Sequence, residues 1–175
     1  MKKRLLIVYS KMIVGGSTTS LLSLLNEIDY SQYDVDMLLY DKTGVLNEYI
    51  PSNVNILDNL YLKKEKKTLS YIMAFLCSYI NSKMHKNPLI RSQLMSKTLT
   101  RNQPILEKEY DVAIAYLEFW ASNYVHQKVN AKRKILWLHC DYKGTGLDPK
   151  FDKYMYQNVD AVITESKACE DNIRE

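Results

Sequence analysis

The chain is poor in the residues that staple or interrupt a fold. Its 175 residues include only three cysteines, five glycines and four prolines. Cys77, Cys140 and Cys169 are odd in number, widely spaced and form no C-x-x-C pair. That usage argues against a disulfide framework and fits a reducing, cytoplasmic compartment. The scarcity of glycine and proline leaves little room for long structureless linkers. Charge of one sign is lacking as well, since 24 lysines and arginines face 20 acidic residues for a net +4. This mild excess falls short of the basic stripe of a dedicated nucleic-acid binder, so no nucleic-acid partner is expected. No run approaches the roughly 18 apolar residues of a membrane span. The charged opening Met-Lys-Lys-Arg leads into only about five apolar residues, too few for the apolar region of a secretory signal. Nothing has the ligand spacing of a metal site, and none is expected. The expectation is a cytoplasmic protein, at most peripheral at the inner face of the plasma membrane.

What is present is an ordinary globular composition, 46% hydrophobic and 25% charged, which excludes a disordered tail, a collagen-like chain and a coiled coil. The length predicts a single domain over 1–175, large enough to bury most of its unfolded surface without staples. Residues 4–9 are nearly all apolar, the pattern of a strand buried on both faces. A loop from Ser10 to Gly16 follows. Ser17-Thr18-Thr19 can cap a helix whose apolar face is Leu21, Leu22, Leu24, Leu25 and Ile28. A second strand at 33–40 completes a βαβ unit with glycines at the strand-to-helix turn.

A short strand is expected at 54–57, then helices over about 67–86 and 89–107, separated by Asn87-Pro88. Alternation resumes with a strand at 111–117, a helix at about 119–130 and a strand at 133–139. A short helix near 149–157, a strand at 159–164 and a helix from Ser166 follow. Strands alternating with helices predict an α/β domain with a parallel sheet. The last stretch, Ser166 to Glu175, stops inside its helix, which reads as a fragment of something larger.

In an open α/β sheet, ligands bind outside the carboxyl ends of the strands, where the strand order reverses. Gly15 and Gly16 allow close backbone approach there, and the helix that follows offers free N–H groups and a positive dipole end to a phosphate. The pair matches neither G-x-G-x-x-G nor the P-loop, which disfavours a plain NAD enzyme or an ATPase. Two more loops open on the same edge. Glu118, Phe119 and Trp120 follow one strand; His139, Cys140, Asp141 and Tyr142 follow the next. His139 can hydrogen-bond or share a proton with a substrate hydroxyl, or pack against a neighbouring loop. Glu118 and Asp141 can accept from sugar hydroxyls or cap the next helices. Phe119, Trp120 and Tyr142 can stack on a ring or fill the core. Residues 63–86 combine Lys63, Lys64, Lys66 and Lys67 with Tyr71, Ile72, Phe75, Leu76, Tyr79 and Ile80. Such a segment can lie on an anionic membrane surface, or dock on the sheet with its lysines in water.

Together these segments resemble the start of family 4 glycosyltransferases. The opening Lys3-Arg4-Leu5-Leu6-Ile7-Val8-Tyr9 strand, the Gly15-Gly16 loop and the Leu-rich helix carry the likeness. So do Tyr110 to Glu118, Lys134 to Tyr142, and Val159 to Ser166, in that order. The resemblance implies a Rossmann-like three-layer α/β/α sandwich with a mainly parallel sheet of about six strands. That sandwich would be the N-terminal, acceptor-side half of a GT-B fold. The C-terminal half, which grips the nucleotide sugar and carries paired glutamates, is absent from this chain. The implied reaction moves a sugar from a nucleotide-sugar donor to a glycan or lipid-linked acceptor, with retention of configuration and no cofactor. On this likeness Gly15, Gly16 and Ser17 face the donor diphosphate, His139 reaches the donor sugar as the catalytic position, and Glu118, Trp120 and Asp141 line the acceptor side. Cys140 stands where relatives often carry another residue. Many relatives build cell-surface polysaccharides, which would give residues 63–86 a purpose at the membrane.

Other readings share the scaffold, because function lives in the site and not in the fold. One is a non-catalytic module that binds a nucleotide or sugar phosphate. A flavodoxin-like or receiver domain is disfavoured, since the first loop lacks a Ser/Thr-rich cradle and no acidic cluster follows the first strand. A scaffold that recruits partners through its basic helix would need no donor.

Overall fold

In the first strand, consecutive side chains leave the backbone on opposite sides, and both sides are buried. Leu5, Ile7 and Tyr9 join one hydrophobic cluster, while Leu6 and Val8 join another. A strand coated on both faces sits in the middle of a sheet with helices above and below. The computed structural model describes residues 1–58, 72, 75–76, 79–80, 84, 87–101 and 103–174.

That central strand is β1 (Lys3–Lys11), followed by α1 (Gly16–Glu27), β2 (Tyr33–Asp41) and β3 (Val54–Ile56). Helix α2 (Pro88–Arg101) precedes β4 (Leu106–Ala115), α3 (Trp120–Lys128) and β5 (Val129–Leu138). The chain continues through α4 (Pro149–Gln157), β6 (Ala161–Thr164) and α5 (Lys167–Arg174). Every strand pairs in parallel, in the order β3-β2-β1-β4-β5-β6. This is a Rossmann-like three-layer α/β fold, and its order reverses between β1 and β4. One face packs α1 through Leu21 and Leu25 against Ile7, Met37 and Leu39. The other packs α3 and α4, through Ala121, Val125 and Met155, against Val8, Ala113 and Leu136.

Several boundaries differ from the sequence expectation, each for a local reason. The helix expected to reach 107 ends at Arg101, and β4 begins at Leu106. Pro104 lies between them, has no N–H to give and disfavours helix in the residue before it. The expected cap at Ser17-Thr18-Thr19 is not used. Gly15 is the N-cap and has no side chain to bond with, while Ser17 and Thr18 lie inside the helix, their hydroxyls each sharing a 2.9 Å hydrogen bond with the Tyr9 hydroxyl. Helix α4 starts where expected; Asp148 accepts from the Lys150 N–H, with Pro149 in the first turn.

Helix α2 is tied to α4 by buried Gln93, whose Nε2 donates to Asp152 at 2.6 Å and to the Tyr142 hydroxyl at 2.9 Å. The Tyr142 hydroxyl donates in turn to Asp152 at 3.1 Å, and burial pushes the Asp152 carboxyl above its ordinary range against the lowering effect of the Gln93 and Tyr142 donors. Most of the expected helix 67–86 lies outside the described residues; 72, 75–76, 79–80 and 84 are helical. Among the described residues, no helix is long and apolar enough to cross a membrane.

Candidate functional site

Because every strand is parallel, all six strand exits share one edge of the sheet, and the reversal of order between β1 and β4 sets the exits of β1 and β4 side by side there. The β1 exit carries Gly15 and Gly16, both exposed. A Cβ built on either meets nothing within 4 Å, and Gly15 is extended at φ 171°. Neither fold geometry nor packing therefore requires glycine here. The bare first turn of α1 presents its N–H groups and positive end to the edge, the arrangement that receives anions. Ser17, expected beside them, is half-buried with its hydroxyl on Tyr9.

A strip of polar and aromatic groups runs from that turn across the sheet. Tyr9 packs edge-on against Tyr116, with centroids 6.3 Å apart. The Tyr116 hydroxyl shares a 2.8 Å bond with Ser20 of α1, and burial raises its pKa above the ordinary tyrosine value. Tyr116 in turn touches the His139 ring at 4.7 Å, and Trp137 lies parallel to that ring at 6.3 Å. His139 Nδ1 pairs with Glu165 Oε1 at 2.8 Å, and only 10% of the His139 side chain is exposed. Its other nitrogen, Nε2, is buried and has no hydrogen-bond partner.

An unmatched buried polar atom of this kind lowers stability by about 1–3 kcal/mol. Among the described residues it is shared only by Asn47 Oδ1 and His126 Nδ1. His126 is near the end of α3, where the chain enters β5, far from the strand exits. Burial first, and then Lys134 and Lys97, lower its pKa. His139 is the one placed at the edge.

The other expected site residues are less available. Glu118 is buried, and one of its oxygens accepts from the backbone N–H groups of His139 and Cys140. It organises the β5 exit from the β4 exit. Trp120 is 7% exposed, donates from Nε1 to Gln103 at 2.7 Å and lies beside Tyr40 and Tyr124. Its surface is spent in the core. Asp141 is exposed and closes its own turn, accepting from Gly144 N and from Asn172 Nδ2, each at 3.0 Å. Burial and the Glu118 carboxylate push the Cys140 thiol up to about 12, which removes it as a nucleophile. Phe119, between β4 and α3, holds φ 60° and ψ −112°, a strained backbone for a residue with a side chain.

Sequence reasoning missed Glu165, Tyr9 and Tyr116 as parts of one arrangement. The available signal was position, since an acidic residue directly after a parallel strand reaches the same edge as the others. A separate cavity of about 1150 Å³ lies between α4, β6 and α5, lined by Tyr156, Val162, Ile163 and Ile173 with Lys150 and Lys153. It includes neither His139 nor the glycine pair. Among the described residues, no cluster of three or more His, Cys, Asp or Glu could hold a metal ion. No protein-family model matches the chain, and no curated protein matches it.

Proposed function

We propose that this chain is the acceptor-side domain of a retaining glycosyltransferase of the GT-B kind. It would take a sugar from a nucleotide-sugar donor to a glycan or lipid-linked acceptor in cell-surface polysaccharide synthesis. One observation carries the reading: a buried, unpartnered imidazole nitrogen shares the switch-point edge with a helix N-terminus that has no side-chain cap and opens on two glycines. The two features suit the two parts of such a donor. The first-turn N–H groups at Gly16 and Ser17 receive the diphosphate as negative charge builds on the leaving group. His139 meets the sugar, and Tyr116 and Trp137 hold its ring in place. Glu118 serves the site by fixing the His139 and Cys140 backbone. In this proposal the acceptor lies on the Asp141 side.

The test is donor hydrolysis and transfer by the full-length protein against UDP-, GDP- and CDP-sugars, with Gly16→Val and His139→Ala alongside. One donor turned over, with turnover lost or strongly reduced in both variants, supports the reading. No turnover from a folded protein offered a plausible acceptor would favour a non-catalytic module that binds nucleotide or sugar phosphate.

Membrane contact through residues 63–86 belongs to the same proposal. Ile72, Phe75, Leu76, Tyr79, Ile80 and Met84 recur at helical spacing, and each is 47–70% exposed. Changing Lys63, Lys64, Lys66 and Lys67 to Glu should abolish binding to anionic liposomes. Undiminished binding would remove this part of the proposal.

A further inference from the structure

We propose that Glu165 is a positioning residue that makes His139 Nε2 a hydrogen-bond acceptor, so that the site selects a hydroxyl group of its ligand over a phosphate oxygen. The argument starts from what each group can give. A carboxylate only accepts, so at 2.8 Å from Glu165 Oε1 the proton must sit on His139 Nδ1. In the neutral ring the other nitrogen is then a bare lone pair. That nitrogen is buried and unmatched by the protein. A lone pair in that position attracts an O–H and repels an oxygen that has none to offer.

The ring has little freedom to escape this assignment. Its backbone N–H is held by Glu118, one flank by Tyr116 and another by Trp137. Glu165 supplies the remaining restraint from the β6 exit, the next strand over. Its side chain is 52% exposed, so removing it disturbs the ring and not the core. The identity of the ligand rests on the transferase reading above, whereas the tautomer does not.

The experiment therefore has two readouts. Histidine-labelled chain is studied by long-range proton–nitrogen correlation at about pH 8, above the ordinary histidine range, and His139→Gln identifies the His139 signals. The wild type should show the Nδ1–H tautomer. Glu165→Ala should move it toward Nε2–H, and Glu165→Gln, which keeps a carbonyl acceptor, should restore Nδ1–H. In the full-length protein, Glu165→Ala should then raise the KM for the sugar donor by roughly fivefold or more, as loss of one hydrogen bond predicts. Glu165→Gln should stay near the wild type, and kcat should change less than KM.

An Nε2–H tautomer in the wild type overturns the proposal, as does a tautomer unmoved by Glu165→Ala. A switched tautomer with an unchanged KM overturns the selection of a hydroxyl. The expected tautomers with no donor turned over by the wild type would support the Glu165 role while removing the transferase reading.

Discussion

Gly44 and Gly16 flank the same sheet edge, and the same substitution at each should act in opposite directions. A Cβ on Gly44 would lie 2.4, 2.7 and 2.8 Å from the carbonyl oxygen, carbonyl carbon and nitrogen of Met12. All three are backbone atoms of a fully buried residue, so no flexible side chain can yield. The Met12 carbonyl also accepts from the Leu46 N–H at 3.0 Å, and pushing the turn outward breaks that bond. Strain of about 1–3 kcal/mol and a lost hydrogen bond of about 1 kcal/mol oppose a gain of about 0.4–1 kcal/mol from a stiffer unfolded chain. Gly44→Ala should therefore lose about 2 kcal/mol, or roughly 4–8 °C in Tm for a domain of this size. At Gly16 the new methyl meets nothing within 4 Å, and Ala in the first helical turn should leave stability unchanged or raise it by about 0.5 kcal/mol. Urea unfolding followed by tryptophan fluorescence measures both, with the slope m expected to stay constant. A Gly44→Ala midpoint equal to the wild type would refute the steric argument. Equal losses at both positions would refute the view that Gly16 is free of structural duty.

Asp152, held above the ordinary carboxyl range by burial, binds its proton more tightly folded than unfolded. Its contribution to stability therefore falls as pH rises from about 4 through its folded value. Asp152→Asn, which can still accept from Gln93 and Tyr142, should match the wild type near pH 4 and gain on it by pH 8 in urea midpoints; a widening deficit would contradict this. Phe119 sits at φ 60°, where strain of about 1–3 kcal/mol is relieved only by glycine. Phe119→Gly should therefore be more stable than Phe119→Ala by about 1 kcal/mol, reversing the ordinary order of the two residues, and thermal melts of the pair decide it.

The strands that run apolar along their whole length were legible in advance, as Leu5 to Tyr9 shows. Strands β4 and β5 begin earlier than the pattern suggests because their first halves are wet. Glu107, Lys108 and Glu109 are exposed, as are Asn130, Lys132 and Arg133, and there the backbone pairing that extends each strand leaves no hydrophobic trace. At the site, the glycine pair could be read because it lies in a strand-to-helix turn, and His139 because it directly follows a strand. Glu165 directly follows β6 and could be placed on the site's edge of the sheet in the same way, but its partnership with His139 could not, because it depends on β6 lying next to β5, a fact of sheet order. Trp120 looked available to a ligand for the same kind of reason. Its indole partner Gln103 arrives from the segment before β4, which local pattern does not connect to it.

By taking both N–H groups of the β5 exit on one oxygen, Glu118 moors that exit to the end of β4. The two loops are in effect a single fixed jaw. Across the switch point, the other jaw is the segment before α1, where Ile13 and Val14 are 53% and 79% exposed. A ligand lodged between them would find the Glu118 side already set. Whatever adjustment is needed to close around it would fall to the glycine side.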